Sequence, residues 1–585
     1  MRFIYTSVKG QFFSIGRLLN VIIPLSALLI TACNSNDHRA GYEALAKDSL
    51  TVVTGKNLFR QYCSGCHGIR RDGIGPKLEG VTEKVSADWL HAFIKDPAGV
   101  LASGDSIAVA LAKEYKTTMP SFQQLKEPEI TAIISYLDTR RIVAKATDTD
   151  TTNIIKNPIA DSIHFSGTTI DLLPITQFPV SSDDGETPLA RITKLDFQPG
   201  TSNLFVNDLR GTLYKMNNST PSVYMDFKKL IPAFINKPGL ATGLGSFAFH
   251  PDFAKNKLLY TTHTESPAAA KADFDFADSI EATVQWVIDE WTVKEENGNF
   301  VSGKHRELFR INFVTGIHGV QEITFNPLAK PGDADYGLLY IGIGDGGCVE
   351  NDYPFLAHSK EKPWGTVFRI DPAGRNSSNG KYGIPNQNPF ASNTTPGLLK
   401  EIYALGFRNP HRITWTKTGK MLVFNIGQAH IESINLAEPG YDFGWPLREG
   451  NFVSADLKGN LGNLHPLPAN DSSYHFTYPV AEYDHDDGLA ISGGYEYTGN
   501  NIPALKGKIL FGDIAYGRLF FINAGDIQQG KFATILEWKI KINGVQKTLK
   551  ELCGKDRVDL HFGRDAAGEL YILTKTDGKM YKLNK

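Results

Sequence analysis

The chain has 585 residues, enough for about two folded domains and more than one small core requires. Its 61 Lys and Arg against 63 Asp and Glu leave a formal net charge of −2, and no long basic run interrupts that balance. This excludes a protein that recruits nucleic acid by bulk attraction and favours small polar partners.

At the N-terminus, Arg2, Lys9 and Arg17 precede or enter the apolar run LLNVIIPLSALLITAC, which is short for a membrane-spanning helix and patterned as an export signal. Ile30-Thr31-Ala32-Cys33 resembles the lipobox of bacterial lipoproteins, implying that processing leaves Cys33 as a lipid-bearing first residue. Residues 1–33 are therefore expected to be a lipoprotein-type signal segment, with an uncleaved anchor helix as the alternative. Either way the protein is expected to work outside the cytoplasm, attached to a bacterial membrane and facing the periplasm. Of the other cysteines, Cys348 and Cys553 could form a bridge in an oxidising compartment, but their positions do not say that they meet.

The next element carries chemistry. In QYCSGCHGIR, Cys63, Cys66 and His67 form the Cys-x-x-Cys-His pattern in which two thiols add to haem vinyl groups and the imidazole ligates iron. A disulfide or a zinc site is the alternative, though no second ligand pair follows at zinc spacing. Leu58, Phe59 and Tyr62 supply an apolar helix face before the motif, and Ile130, Ile133, Ile134 and Leu137 supply one near Arg140, with Pro128 suited to a first helical turn. From Gly55 to Arg140 the chain resembles class I c-type cytochromes. That resemblance implies that the Pro76 carbonyl in GIGPKL accepts the haem histidine N–H, and that Met119 in TTMPSF is the sixth iron ligand, with His91 as rival. His/Met ligation raises the iron potential, which suits an electron acceptor. An all-α cytochrome c domain is expected over residues 50–142. The polar, weakly periodic residues 143–188 are expected to be linker.

From Ala190 onward one phrase recurs: an apolar alternating run, a turn, then a second apolar run. Its six copies are LDFQPGTSNLFVND, FAFHPDFAKNKLLYTTH, ITFNPLAKPGDADYGLLYIGIGD, ITWTKTGKMLVFN, YEYTGNNIPALKGKILFGD and LHFGRDAAGELYILT. Each predicts two short strands around a turn. Their number and irregular spacing predict a mainly β six-bladed β-propeller over residues 189–585, with a β-helix as the alternative fold.

Within this region His318 sits in a glycine-flanked loop before a strand, and Asp345 follows a strand into a glycine turn. An imidazole oriented by a carboxylate makes a general base near neutral pH. Taken alone, each could equally be structural. The segments HGVQEITFNP, IGIGDGG, ALGFRNPHR, NIGQAHIESIN and YDFGWP together resemble the PQQ-dependent sugar dehydrogenases of the glucose/sorbosone dehydrogenase family, and GLGSFAFHPDF, ISGGYEYTG and GRDAAGELYIL extend the likeness. The resemblance implies His318 as the base that takes a hydroxyl proton as hydride leaves for the quinone, with Asp345 as its partner. It implies Arg408 as the donor to the quinone oxygen, Asn409 and Arg557 as cofactor contacts, and the backbone carbonyls of Gly427 and Gln428 as calcium ligands.

This chain departs from the glucose-specific branch at Ala241, at Ala515 or Tyr516 where a cofactor-binding lysine is usual, and at Asn425 where an acid is usual. Asp484, His485, Asp486 and Asp487 could bind a metal or be a solvated acidic loop, and Cys348 reads as a small buried residue. The resemblance implies a membrane-tethered dehydrogenase that oxidises an aldose or polyol at PQQ, passes electrons to the fused haem c, and serves a downstream electron acceptor. The alternative is a non-catalytic propeller that binds a glycan or protein, joined to a relay cytochrome.

Overall fold

The computed structural model describes residues 42, 45, 48–70, 75–115, 119–141, 153–182, 187–237, 241–454 and 463–585. The expected signal segment and Cys33 lie outside the described residues. Among the described residues, no helix is long and apolar enough to cross a membrane.

The N-terminal part is helical: α1 (Ser49–Tyr62), α2 (Ala87–Lys95), α3 (Pro97–Ala102), α4 (Ser106–Tyr115) and α5 (Glu127–Asp138). Asp48 starts α1 by accepting the Thr51 N–H at 2.9 Å, and Ser86 starts α2 by accepting the Trp89 N–H at 3.2 Å, each satisfying an orphan donor of a first turn. Pro128 lies in the first turn of α5, where a missing N–H costs nothing. Ile130, Ile133, Ile134 and Leu137 are buried with Phe59 in one apolar core. Gly55 sets the approach of α1 to α5, since a Cβ there would lie 1.9 Å from the Ala132 carbonyl oxygen. One turn further on, the rings of Phe59 and Tyr136 stand 5.4 Å apart.

The rest is mainly β. Each of the six recurring phrases falls on two antiparallel strands, for example Glu322–Phe325 with Leu339–Ile343 and Asn409–Trp415 with Met421–Ile426. Three separate four-stranded antiparallel sheets begin with the strands Leu244–Phe249, Glu322–Phe325 and Asn409–Trp415. A larger 13-stranded sheet contains the antiparallel runs that begin at Ile192–Phe197, Tyr495–Glu496 and Leu560–Arg564, joined through parallel pairs. These first strands are neighbours in chain order, and Leu560–Arg564 lies beside Ile192–Phe197. A buried ionic network ties three of them together. Glu322 takes Lys194 Nζ at 2.6 Å and Arg412 Nη1 at 2.9 Å.

The structure differs from expectation within residues 143–188. His164–Gln177 is a strand that pairs antiparallel with Lys579–Asn584 and parallel with Leu536–Ile542. Ile170 and Leu172 bury themselves in the same core as Ile540 and Leu583, a gain from long-range pairing that the polar flanks conceal. Residues 143–152 and 183–186 of the expected linker lie outside the described residues.

Candidate functional site

In the helical domain, α1 runs straight into the Cys-x-x-Cys-His turn, where the Cys66 and His67 N–H groups both donate to the Cys63 carbonyl at 3.0 Å. Both thiols are free, and burial pushes Cys63 up to about 12. His67 Nδ1 lies 2.8 Å from the Pro76 carbonyl oxygen, so that carbonyl fixes the ring and leaves Nε2 as the ligating nitrogen. Gly75 allows this, because a Cβ there would come within 2.5 Å of the ring. Met119 packs against the same apolar core. His91 instead pairs with Glu127 at the surface.

In the β region, the loops that precede the first strands Glu322–Phe325 and Asn409–Trp415 and those that follow the second strands Leu339–Ile343 and Met421–Ile426 bring the chemistry together. His318 Nδ1 lies 2.8 Å from Asp345 Oδ1, and both are buried. His318 is held at φ 47°, in the left-handed region, with its carbonyl against Gly344, where a Cβ would lie 2.1 Å away. Asp345 also accepts the Gly347 N–H at 2.9 Å and the Trp445 Nε1–H at 3.0 Å. Burial alone would raise its carboxyl. His318, Arg408 and the Gly347 N–H overrule burial and hold it below the usual range. With Nδ1–H given to Asp345, the other ring nitrogen, Nε2, carries the lone pair that can take a proton.

Arg408 sits next to this dyad, its carbonyl accepting the Asp345 N–H at 2.8 Å. Its guanidinium donates to Gln428 Oε1 at 2.6 Å, to Glu350 Oε1 at 2.7 Å and to the Gly427 carbonyl. Burial works against its charge, but Glu350 and Asp345 hold it more firmly protonated than usual. Asn425, at the position where the resemblance makes an acid usual, accepts the Arg408 and Asn409 N–H groups at 3.1 and 3.0 Å through its side-chain oxygen. It therefore orients the turn that carries both residues.

The loop that bears Gly427 and Gln428 is organised by one carboxylate oxygen. Glu449 Oε1 accepts the N–H groups of Gln428, Ala429, His430 and Ile431 at 2.8 to 3.0 Å. Burial would raise this carboxyl, yet His430 and the converging N–H groups bring it down to about 2. The His430 ring is 3.8 Å from the second oxygen, within ion-pair range but too far for a hydrogen bond.

A cationic basin lies nearby. Arg557, bonded to Asp559 at 2.7 Å, keeps 52 % of its side chain exposed. Desolvation pulls the Lys575 ammonium down to about 8; Asp559 opposes that pull, and Arg557, Arg191 and Arg412 add to it. His411 and His561, with rings 5.5 Å apart, are buried, have no hydrogen-bond partner on either ring nitrogen among the described residues, and are held neutral by burial and the surrounding cations.

The geometry thus brings His318, Asp345, Arg408, Asn409, Gly427 and Gln428 into one network, with Arg557 in the adjoining basin. The acidic loop is used structurally: Asp484 and Asp487 accept the Ile159 and Ile163 N–H groups, and His485 reaches Glu432. Cys348 and Cys553 are both unbridged, and Cys348 is buried. Sequence reasoning missed Glu350, Trp445, Glu449, His411, His561 and Lys575. Of these, Trp445 inside YDFGWP, His411 inside ALGFRNPHR and His561 inside LHFGRDAAGELYILT lay in segments already singled out, but not as site residues.

A profile of the family described as glucose/sorbosone dehydrogenase matches residues 190–582, and one of cytochrome c matches residues 52–141. Quinoprotein glucose dehydrogenase B of Acinetobacter calcoaceticus is 25% identical over 312 residues, covering 51% of this chain and 58% of its own length. The HIPL1 protein of Arabidopsis thaliana is 26% identical over 314 residues, covering 47% of this chain and 43% of its own. The chain spans about half the length of these curated relatives. A solved glucose dehydrogenase aligns over 71% of this chain and 99% of its own, with a TM-score of 0.50 at 18% identity, a likeness of fold.

Proposed function

Because the chain belongs to the glucose/sorbosone dehydrogenase family and carries a cytochrome c domain ahead of that region, we propose that it oxidises an aldose or related sugar alcohol group at PQQ and delivers the electrons to its own haem c. The observation that carries this reading is the His318–Asp345 pair set directly against Arg408.

The residues present suit a flat, multiply carboxylated quinone. Among the described residues Lys575 has no ion-pair partner, Arg557 is open, and the two orphaned imidazoles add potential donors and acceptors for a polar group. Arg557 and Lys575 would hold carboxylates, while Arg408 and Asn409 would face the reacting carbonyl. Cys63, Cys66, His67 and Met119 suit covalently attached, His/Met-ligated haem. Calcium suits the site less well, because Arg408 already engages the Gly427 carbonyl and the Gln428 side chain.

When bound, PQQ would supply a two-electron hydride acceptor and haem c a one-electron relay to an external acceptor. His318 Nε2 would take the proton from the hydroxyl oxygen borne by the carbon that loses hydride. Asp345 keeps the ring in the tautomer that can do so and stabilises the imidazolium that results. Trp445, by donating to the second Asp345 oxygen, fixes the carboxylate that fixes the ring. The Arg408 charge, held by Glu350, stabilises negative charge developing opposite the base, an arrangement worth roughly a hundredfold or more in rate.

The six antiparallel strand groups and their ring of neighbouring first strands support a six-bladed propeller over residues 189–585, served by a cytochrome over residues 50–142. Export and lipid attachment at Cys33 complete the proposal and put the enzyme at a membrane surface outside the cytoplasm. The test is to load the purified chain with haem and PQQ, add a panel of aldoses and polyols, and follow the haem absorption band. Sugar-dependent reduction that is lost in His318→Ala supports the reading. No reduction with any sugar, together with no PQQ binding, favours a glycan- or protein-binding propeller.

A further inference from the structure

The helical domain meets the β region at its chemistry. Arg60, in the last turn of α1 and three residues before Cys63, donates from its guanidinium to the Glu281 carbonyl and to Thr283 Oγ1 (3.4 Å), and pairs with the Glu281 carboxylate. Its side chain is 15% exposed against 58% for Glu281, so the arginine is largely enclosed while its partner rims the contact. The Arg60 carbonyl also accepts the Ser64 hydroxyl at 2.8 Å, tying the anchor to the turn that bears the thiols.

On the other side of that turn Gly65 sits on Ile317, the residue before His318. A Cβ at Gly65 would lie 2.9 Å from Ile317 Cγ2, so only glycine allows this approach.

We propose that the Arg60 contact with Glu281 and Thr283, together with the seat of Gly65 on Ile317, is the docking surface through which the cytochrome domain draws electrons from the sugar-oxidising site. This rests on the dehydrogenase reading for what flows across the surface, but not for the surface itself. Arg60 holds the position, since a guanidinium with carbonyl, hydroxyl and carboxylate partners has one orientation in which all three are met. The Gly65 contact sets the separation, and electron transfer slows steeply as separation grows.

Two arms test the surface in the haem-loaded chain. In the first, Arg60→Lys is treated with a carbodiimide, which joins an amine to a carboxylate only when the two are in contact, and the peptides are mapped. A link between position 60 and Glu281 is expected whether or not any sugar is oxidised, and its absence overturns the docking surface. In the second, the PQQ-loaded protein is given sugar, and reduction of the haem is compared with reduction of a small soluble dye. Arg60→Glu is expected to slow haem reduction at least tenfold with dye reduction unchanged, and Arg60→Glu/Glu281→Arg to restore it. An unchanged ratio of haem to dye reduction in Arg60→Glu overturns the proposal. Failure of sugar to reduce either acceptor in the wild type counts against the dehydrogenase reading alone, and the cross-link then decides the docking surface.

Discussion

Replacing Glu449 by glutamine tests how the loop behind Arg408 is held. One oxygen of this carboxylate gathers four successive backbone N–H groups, and the loop so formed presents Gly427 and Gln428 to the Arg408 guanidinium. Gly427 itself lies so close to Ile431 that a Cβ would stand 1.8 Å from the Ile431 carbonyl oxygen, so the loop has no slack. The gap between an ordinary 4.5 and about 2, at ~1.36 kcal/mol for each pH unit, makes the charged carboxylate worth about 3 kcal/mol to the folded loop. Because the folded-state value is depressed, this stabilisation is fully present above pH 4.5 and is lost as pH falls toward 2. Glutamine keeps a neutral oxygen and loses the charge. Hydrogen exchange at pH 7 over residues 427–431 should therefore speed up by as much as roughly a hundredfold in Glu449→Gln, with the strand Glu322–Phe325 unchanged. The wild-type loop should show the same loss as pH is lowered through that window. Exchange in the variant within twofold of wild type would refute the reasoning, since the four N–H groups would then be held by something other than charge.

Further outcomes follow from the same contacts. Asp345→Asn should leave the fold intact and cut sugar oxidation by roughly 10²–10⁴-fold, the usual worth of an oriented general base, measured as kcat with a dye acceptor. Trp445→Phe removes one hydrogen bond to the ionised Asp345 and should cost about 1.5–3 kcal/mol in the same assay. PQQ affinity, followed by fluorescence titration, should fall as pH rises through about 8, where Lys575 loses its charge, and Lys575→Met should flatten that dependence. Met119→Leu should leave the haem attached through Cys63 and Cys66 while lowering its midpoint potential, read by redox titration.

The six strand pairs were legible because their apolar alternation is a local property: Leu195, Phe205, Ile323 and Leu422 are all fully buried at positions that simple periodicity picks out. The Cys-x-x-Cys-His turn and its proline carbonyl were legible for a similar reason, since every participant lies within fourteen residues. His318 and Asp345 could be nominated by their glycine-rich loops, but their 2.8 Å contact spans 27 residues and depends on two strands pairing. Glu350, Trp445 and Lys575 are ordinary residues in sequence. What makes them matter is the charge or carboxylate that the fold brings to them. The strand His164–Gln177 was hidden because its partners lie some four hundred residues away, at Leu536–Ile542 and Lys579–Asn584.

The claim that the β region oxidises a sugar for its own cytochrome can be put to one direct measurement: rapid anaerobic mixing of the haem- and PQQ-loaded chain with an aldose, observed at the haem band over a tenfold range of protein concentration. Electron transfer within one chain predicts a first-order rate that does not change on dilution. A rate that scales with protein concentration, or a haem that stays oxidised while an added dye is reduced, would contradict it.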